Sequence, residues 1–188
     1  MRSNNAASKC DNNWFDIDWA EELKQNITSV EELEKHLPLS PGERSELQEV
    51  TDRHPMNIPR YYLDLVNPND PHDPIRKLAI PSTDELILAG AMGETTGDPY
   101  GDDKHDKGNG ILHKYPYTAL VVATEYCSMY CRHCFRKRMV GLPNDQTVKS
   151  FQQAARYIAE HTEIKNVVMS GGDPLLLPTE ALRKMLDA

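Results

Sequence analysis

Ala119-Leu120-Val121-Val122-Ala123-Thr124-Glu125-Tyr126-Cys127-Ser128-Met129-Tyr130-Cys131-Arg132-His133-Cys134 runs from a short apolar, β-branched stretch straight into a loop carrying three cysteines. An apolar run of this kind suits a strand buried on both faces, as in a parallel sheet. The cysteines then fall at the strand's C-terminal mouth. Downstream, Thr147 to Glu160 sets Val148, Phe151, Ala155 and Ile158 at helical spacing, and Asn166-Val167-Val168-Met169 reads as a second buried strand ending in Ser170-Gly171-Gly172-Asp173. Strand, loop, helix and strand make one βαβ unit. Pro178 to Ala188 begins a further helix with Ala181, Leu182, Met185 and Leu186 on its apolar positions. Two parallel strands and one crossover helix cannot cover both faces of a sheet. The expected class is therefore α/β, a partial TIM-type (βα) barrel truncated after its second strand.

Upstream the pattern is helical. Asp18 to Gln25 has helical composition, Thr28-Ser29-Val30-Glu31-Glu32 supplies a capping box, and Ser40-Pro41-Gly42-Glu43 opens a third helix with Leu47 and Val50 on one face. Prolines at 55, 59, 68, 71, 74 and 81 predict a stiff extended strap outside any core. Ser82-Thr83-Asp84-Glu85 caps another helix bearing Leu86, Ile87, Leu88 and Met92. Gly93 to Gly110, with five glycines and four aspartates, reads as a mobile loop and a soft boundary. The division expected is a helical, proline-rich region over 1–110 and the first part of a barrel domain over 111–188.

Composition narrows the function. The 188 residues are 39% hydrophobic and 27% charged, without a long apolar run, which predicts neither a membrane span nor membrane association. Met1 to Asn13 is polar and lacks a signal-peptide core, so a cytoplasmic protein is expected. A formal charge of −8 argues against general nucleic-acid binding, because phosphate contacts need a positive face. Small molecules are the expected partners.

Three of the four cysteines lie within eight residues, and Cys10, read as a plain N-terminal thiol, stands alone. That distribution makes a poor disulfide framework and a good metal or cluster signature. The spacing of Cys127, Cys131 and Cys134 is C-x3-C-x2-C. Three thiolates satisfy three irons of a 4Fe–4S cluster and leave the fourth open, whereas electron-transfer clusters take four cysteines. A structural zinc site recruiting His133 or a distant histidine, and a four-cysteine site recruiting Cys10 or a cysteine beyond the terminus, are the alternatives. Inert buried cysteines fit poorly on a polar, arginine-rich loop.

The C-x3-C-x2-C loop after one strand, together with Gly171-Gly172-Asp173 after the next, resembles the radical S-adenosylmethionine (SAM) superfamily. Asp70-Pro71-His72-Asp73-Pro74-Ile75-Arg76-Lys77, His113-Lys114-Tyr115-Pro116, Cys127 to Cys134 and Ser170-Gly171-Gly172-Asp173 resemble its lysine 2,3-aminomutase family. The likeness runs from about Tyr61 to the end of the chain, and more loosely back to Trp19.

That resemblance implies a radical SAM barrel and a 4Fe–4S cluster on Cys127, Cys131 and Cys134. It implies SAM held on the open iron, with Gly171, Gly172 and Asp173 at its amino group and His133 beside its adenine. Arg136, two positions after the last cysteine, matches the family's clamp on the substrate carboxylate, a task suited to a bidentate guanidinium. Pyridoxal 5′-phosphate (PLP) is implied, with Lys114 and Tyr115 near its phosphate. In this sequence Lys114 replaces the family's arginine, and Thr118 replaces a second one. The PLP lysine, the acids recognising a distal amino group and the remaining strands would lie beyond Ala188, so the fragment alone is expected to be inactive. The implied enzyme is an isomerase moving an amino group between adjacent carbons of lysine, glutamate or another amino acid. An electron donor such as flavodoxin or ferredoxin and a homo-oligomeric full-length protein are implied as well. Lysine aminomutase chemistry in elongation factor P modification and a non-catalytic zinc or iron–sulfur module are the rival readings.

Overall fold

The computed structural model describes residues 18–86, 98–142 and 147–188. Cys10, Ile87, Leu88, Met92 and residues 93–97 lie outside the described residues.

The N-terminal helices form where the capping grammar places them. Asp18 caps α1 (Trp19–Leu23) and Ser29 caps α2 (Val30–Glu34), while Ser40 and Glu43 close a reciprocal capping box on α3 (Pro41–Arg53) with Pro41 in the first turn. The proline-rich stretch departs from expectation. It contains α4 (Arg60–Leu63) and α5 (Pro74–Ala79), and it contributes Met56, Ile58, Leu63, Val66, Ala79 and Ile80 to the N-terminal core. These pack with Ile27, Val30, Leu33, Leu37 and Leu47. Prolines explain the difference: at the first helical position, as in Pro74, the ring starts a helix instead of breaking one. Ile27 and Ile58 exchange backbone hydrogen bonds at 2.8 and 3.0 Å, stapling the strap to the loop before α2.

The sheet has three strands in the order β1 (Ile111–Tyr115), β2 (Thr118–Thr124), β3 (Asn166–Gly171). The β2–β3 pair is parallel, with Val121 opposite Met169 and Val122 opposite Ser170, and α6 (Phe151–Glu160) supplies the crossover. The expected βαβ unit is present. The sequence reading missed β1, which is antiparallel to β2 across a turn at Pro116 and Tyr117 and adds a third strand to the two parallel ones expected. β2 lies in the middle and buries Ala119, Val121, Val122 and Ala123. β3 is not the buried strand expected: Val167 and Val168 are exposed, because the strand forms an edge of the sheet among the described residues. α6 begins at Phe151 under a Ser150 cap, leaving Val148 before the helix, where its N–H donates to the Val122 carbonyl at 2.8 Å. α7 (Thr179–Leu186) closes the described chain without a buried residue.

Part of the expected loop is built. Gly101, in the left-handed region at φ 68°, precedes a 3-10 turn over Asp102–His105. Both Asp98 carboxylate oxygens accept from the turn, one from the Asp102 N–H and one from the Asp103 N–H, each at 2.9 Å. A carboxylate receiving two backbone donors fixes a turn that composition alone reads as loose.

Ile58 is fully buried between the strap and α2, so Ile58→Ala should lower unfolding free energy by about 2–5 kcal/mol, read as a reduced urea midpoint at unchanged slope.

Candidate cluster and carboxylate site

The loop from Glu125 to Gly141 leaves β2 and returns to its starting point, where the Gly141 N–H donates to the Glu125 carbonyl at 2.9 Å. Little regular structure lies between these ends, so the loop is held from outside. Asn57 does so on the first-cysteine side: its Nδ2 donates to the Cys127 carbonyl at 3.0 Å and its carbonyl accepts from the Tyr130 N–H at 3.0 Å. Asn26 adds Nδ2 bonds of 2.9 Å to both Asn57 Oδ1 and the Ser128 carbonyl.

The second half of the loop is tied by charge. Arg132 donates from Nε to Glu85 Oε1 at 3.0 Å, from Nη2 to Glu85 Oε2 at 2.7 Å, and to the carbonyls of Pro55 and His54 at 2.9 and 3.2 Å. Lys137 joins the same carboxylate and also donates to the Arg132 carbonyl at 2.9 Å. Arg132 and Glu85 are both over nine-tenths buried in their side chains. Burial is the strongest influence on Glu85 and pushes its pKa up, but Arg132 and Lys137 together outweigh it and hold the carboxyl below its ordinary value of 4.5.

Cys127, Cys131 and Cys134 are free thiols, half-buried on this one loop. Cys127 and Cys134 pack against Leu112, Val122, Met139 and Val140. The Cys127 thiol is pushed up to about 11, first by burial and then by its neighbours Cys134, Asp173 and Cys131. Burial and Cys134 also push Cys131 up. Three thiolates so close together need a shared cation, and an iron–sulfur cube provides one while binding each sulfur at a separate iron. Among the described residues, no three His, Cys, Asp or Glu side chains gather tightly enough to hold a single metal ion.

β3 delivers Gly171 and Gly172 against the entrance of this loop. The Gly172 N–H donates to the Thr124 carbonyl at 2.6 Å and the Asp173 N–H to the Tyr126 carbonyl at 2.7 Å. A Cβ on Gly172 would stand 2.1 Å from the Tyr126 carbonyl oxygen, and one on Gly171, at φ 106°, 2.4 Å from that of Thr124. The glycines are thus demanded by the approach of two strand ends. Both N–H groups are engaged there, and the Asp173 carboxylate caps the turn at Pro174–Leu176 through the Leu175 N–H at 3.0 Å.

Arg136 is buried, with Nη1 donating to Ser170 Oγ at 3.4 Å, Nε 3.4 Å from Asp102 Oδ2, and Phe135 4.5 Å from the guanidinium carbon. His133 is exposed on the loop. Lys114 and Tyr115 are exposed at the end of β1, and Lys114 Nζ donates to the Tyr100 carbonyl at 2.7 Å. The structure brings the cysteines, Gly171, Gly172, Asp173 and Arg136 to the C-terminal ends of β2 and β3. Lys114 instead reaches Tyr100 of the Asp98–His105 turn, and Tyr115 lies exposed beside Lys114. Sequence reasoning missed Asn26, Asn57, Glu85 and Asp102. Glu85 was legible only as a helix cap, a role it also fills by accepting from the Ser82 N–H at 3.0 Å.

Residues 121–188 match the model of the radical SAM superfamily. The chain is 39% identical to the L-lysine 2,3-aminomutase of Clostridium subterminale over 170 residues, covering 90% of this chain and 40% of that protein. It is 38% identical to the L-lysine 2,3-aminomutase of Acetoanaerobium sticklandii over 88% of this chain and 39% of the relative. With the glutamate 2,3-aminomutase of Clostridioides difficile it shares 34% identity over 92% of this chain and 40% of the relative. The chain is thus similar along most of its length to 2,3-aminomutases, and its residues 121–188 carry the radical SAM match. It spans about two-fifths of the length of the curated relatives it matches. The radical SAM match implies a 4Fe–4S cluster and SAM. No helix among the described residues is long and apolar enough to cross a membrane.

Glu85 binds fewer protons folded than unfolded near its ordinary value of 4.5, so its contribution to stability is complete above that pH and lost as pH falls through the lower folded value. Asp98 is also held low: burial pushes it up, but the N–H groups of Asp103 and Asp102, followed by Arg138, outweigh it. Urea midpoints should therefore drop from pH 5 towards pH 3, and less steeply in Glu85→Gln. At pH 7 Arg132→Ala should cost about 3–5 kcal/mol, because it leaves Glu85 buried beside Lys137 alone.

Proposed function

We propose that this chain carries the cluster, SAM and substrate-carboxylate portion of a radical SAM, PLP-dependent amino-acid 2,3-aminomutase, an isomerase. The supporting observation is the convergence of three free thiols, the close-packed Gly171-Gly172 turn and buried Arg136 at the adjacent ends of β2 and β3. Active sites of parallel α/β folds lie at this end of the strands. When bound, the cluster and SAM supply a reductively generated carbon radical, and PLP supplies an electron sink for the migrating amino group.

The chain's own residues bind, orient and exclude water. Cys127, Cys131 and Cys134 give three thiolates and leave one iron for the amino and carboxylate groups of SAM. Gly171 and Gly172 keep the second strand end within hydrogen-bond reach of the first, leaving Asp173 beside Cys127 and next to the SAM amino group. His133 packs by the adenine. Arg136 clamps the substrate carboxylate with the fork geometry that lysine lacks. Lys114, whose Nζ donates to the Tyr100 carbonyl, and Tyr115 would hold the PLP phosphate. Lysine is the first substrate to test, and glutamate the second, since relatives carrying each name match this chain over about nine-tenths of its length. An electron donor of flavodoxin or ferredoxin type reduces the cluster.

Anaerobic reconstitution with ferrous iron and sulfide tests this reading on the chain itself. The expected product is an oxygen-sensitive 4Fe–4S chromophore whose reduced EPR signal changes when SAM is added. Replacing any one of the three cysteines by serine should remove most of the iron. Tight zinc binding with no response to SAM would replace the enzyme by a structural metal module.

A further inference from the structure

Arg136 presents an electrostatic imbalance that its own loop does not correct. A buried guanidinium requires a counter-charge and acceptors for five N–H bonds. Here Nη1 has one long bond to Ser170 Oγ, and Nε has no hydrogen-bond partner among the described residues. The nearest anion to Nε is Asp102 Oδ2 at 3.4 Å, close enough to attract and too poorly aligned to bond.

Asp102 does not reach this position by chance of rotamer. Asp98 accepts from the Asp102 and Asp103 N–H groups and is itself 3.8 Å from Arg138 Nη2. Tyr100 sets its ring edge-on to Phe135 at 4.9 Å, and Phe135 lies against the Arg136 guanidinium. The turn is thereby pinned to the same four-residue tail, Phe135 to Arg138, that carries the arginine. A carboxylate fixed on the Nε side, and a strand hydroxyl on Nη1, restrain the side chain while leaving donor capacity on its terminal nitrogens.

We propose that Asp102 is a positioning residue for Arg136: it holds the guanidinium from the Nε side so that the terminal nitrogens face an incoming amino-acid carboxylate. The inference rests on the assignment of Arg136 as the carboxylate clamp. It adds a residue from the glycine- and aspartate-rich segment to a site otherwise built from the strand ends. Asp102 touches neither the substrate nor the reacting atoms.

The test separates the two assignments. In the holoenzyme, Asp102→Asn should raise KM for the amino acid about tenfold, the low end of what a close charge pair contributes, with kcat much less affected and iron content at the wild-type level. Asp102→Glu, which keeps the charge, should recover most of that KM. Arg136→Lys is the control for the clamp: if KM does not move in this variant, the clamp assignment fails whatever Asp102 does. If Arg136→Lys raises KM steeply while Asp102→Asn leaves it unchanged or lowers it, the clamp stands and Asp102 is a bystander or a competitor, which overturns the proposal. Should Asp102→Asn lose its iron, hydrogen exchange of the Arg136 Nε–H in the wild-type protein decides. Slow exchange relative to exposed Arg44 and Arg53 supports the restraint, and exchange as fast as theirs overturns it.

Discussion

The buried ion pair between Arg132 and Glu85 is the contact on which the cysteine loop depends. Cys131 and Cys134 flank a stretch with no helix or strand of its own, and such a backbone keeps its shape only if its polar groups find partners elsewhere. Arg132 reaches out of the loop to Glu85 and to the carbonyls of His54 and Pro55, while Lys137 reaches back from the other side of Cys134. The end of α3, the strap behind it and Glu85 provide the fixed surface against which half of the cysteine loop is held, and Asn57 with Asn26 performs the same task for the other half.

A buried ion pair is a weak source of net stability, because desolvating two charges offsets much of their attraction. It is a strong source of geometric definition: the guanidinium fork satisfies two carboxylate oxygens and two carbonyls at once. That definition matters more here than stability. To bind three irons, three thiolates would have to keep their separations, whereas a loop held only by apolar contacts could slide without losing much area.

How much of this was legible in the sequence follows from whether each signal is local. The βαβ unit was readable because the periodicity of Thr147 to Glu160 and the apolar runs at 119–123 and 166–169 are encoded within single elements. β1 was not, since Ile111-Leu112-His113-Lys114-Tyr115 is half polar and becomes a strand only by pairing with β2. The prolines of the strap misled for a related reason: a proline restricts its own φ but does not say whether its neighbours Ile58 and Ile80 will be buried. The cysteines were legible because thiols at fixed spacing on a polar loop have few uses. Glu85 and Asp102 were not, since each is one acid among 29 and acquires meaning only from the arginine it faces across the fold.

The charge distribution links these observations. The chain carries a formal charge of −8, yet Arg132, Arg136, Lys137 and Arg138 crowd into seven residues beside the cysteines. Read alone, that cluster suggests a patch for an external anion. In the fold, three of its four members already face carboxylates of this chain that are mostly buried: Arg132 and Lys137 share Glu85, and Arg138 meets Asp98. Arg136 also has an anion nearby, but at an angle that makes no hydrogen bond. The other cations are thus committed to holding the loop. Arg136 is the member of the cluster whose bonding is left incomplete, and it sits next to Ser170 at the end of β3, where a carboxylate arriving from outside would complete it.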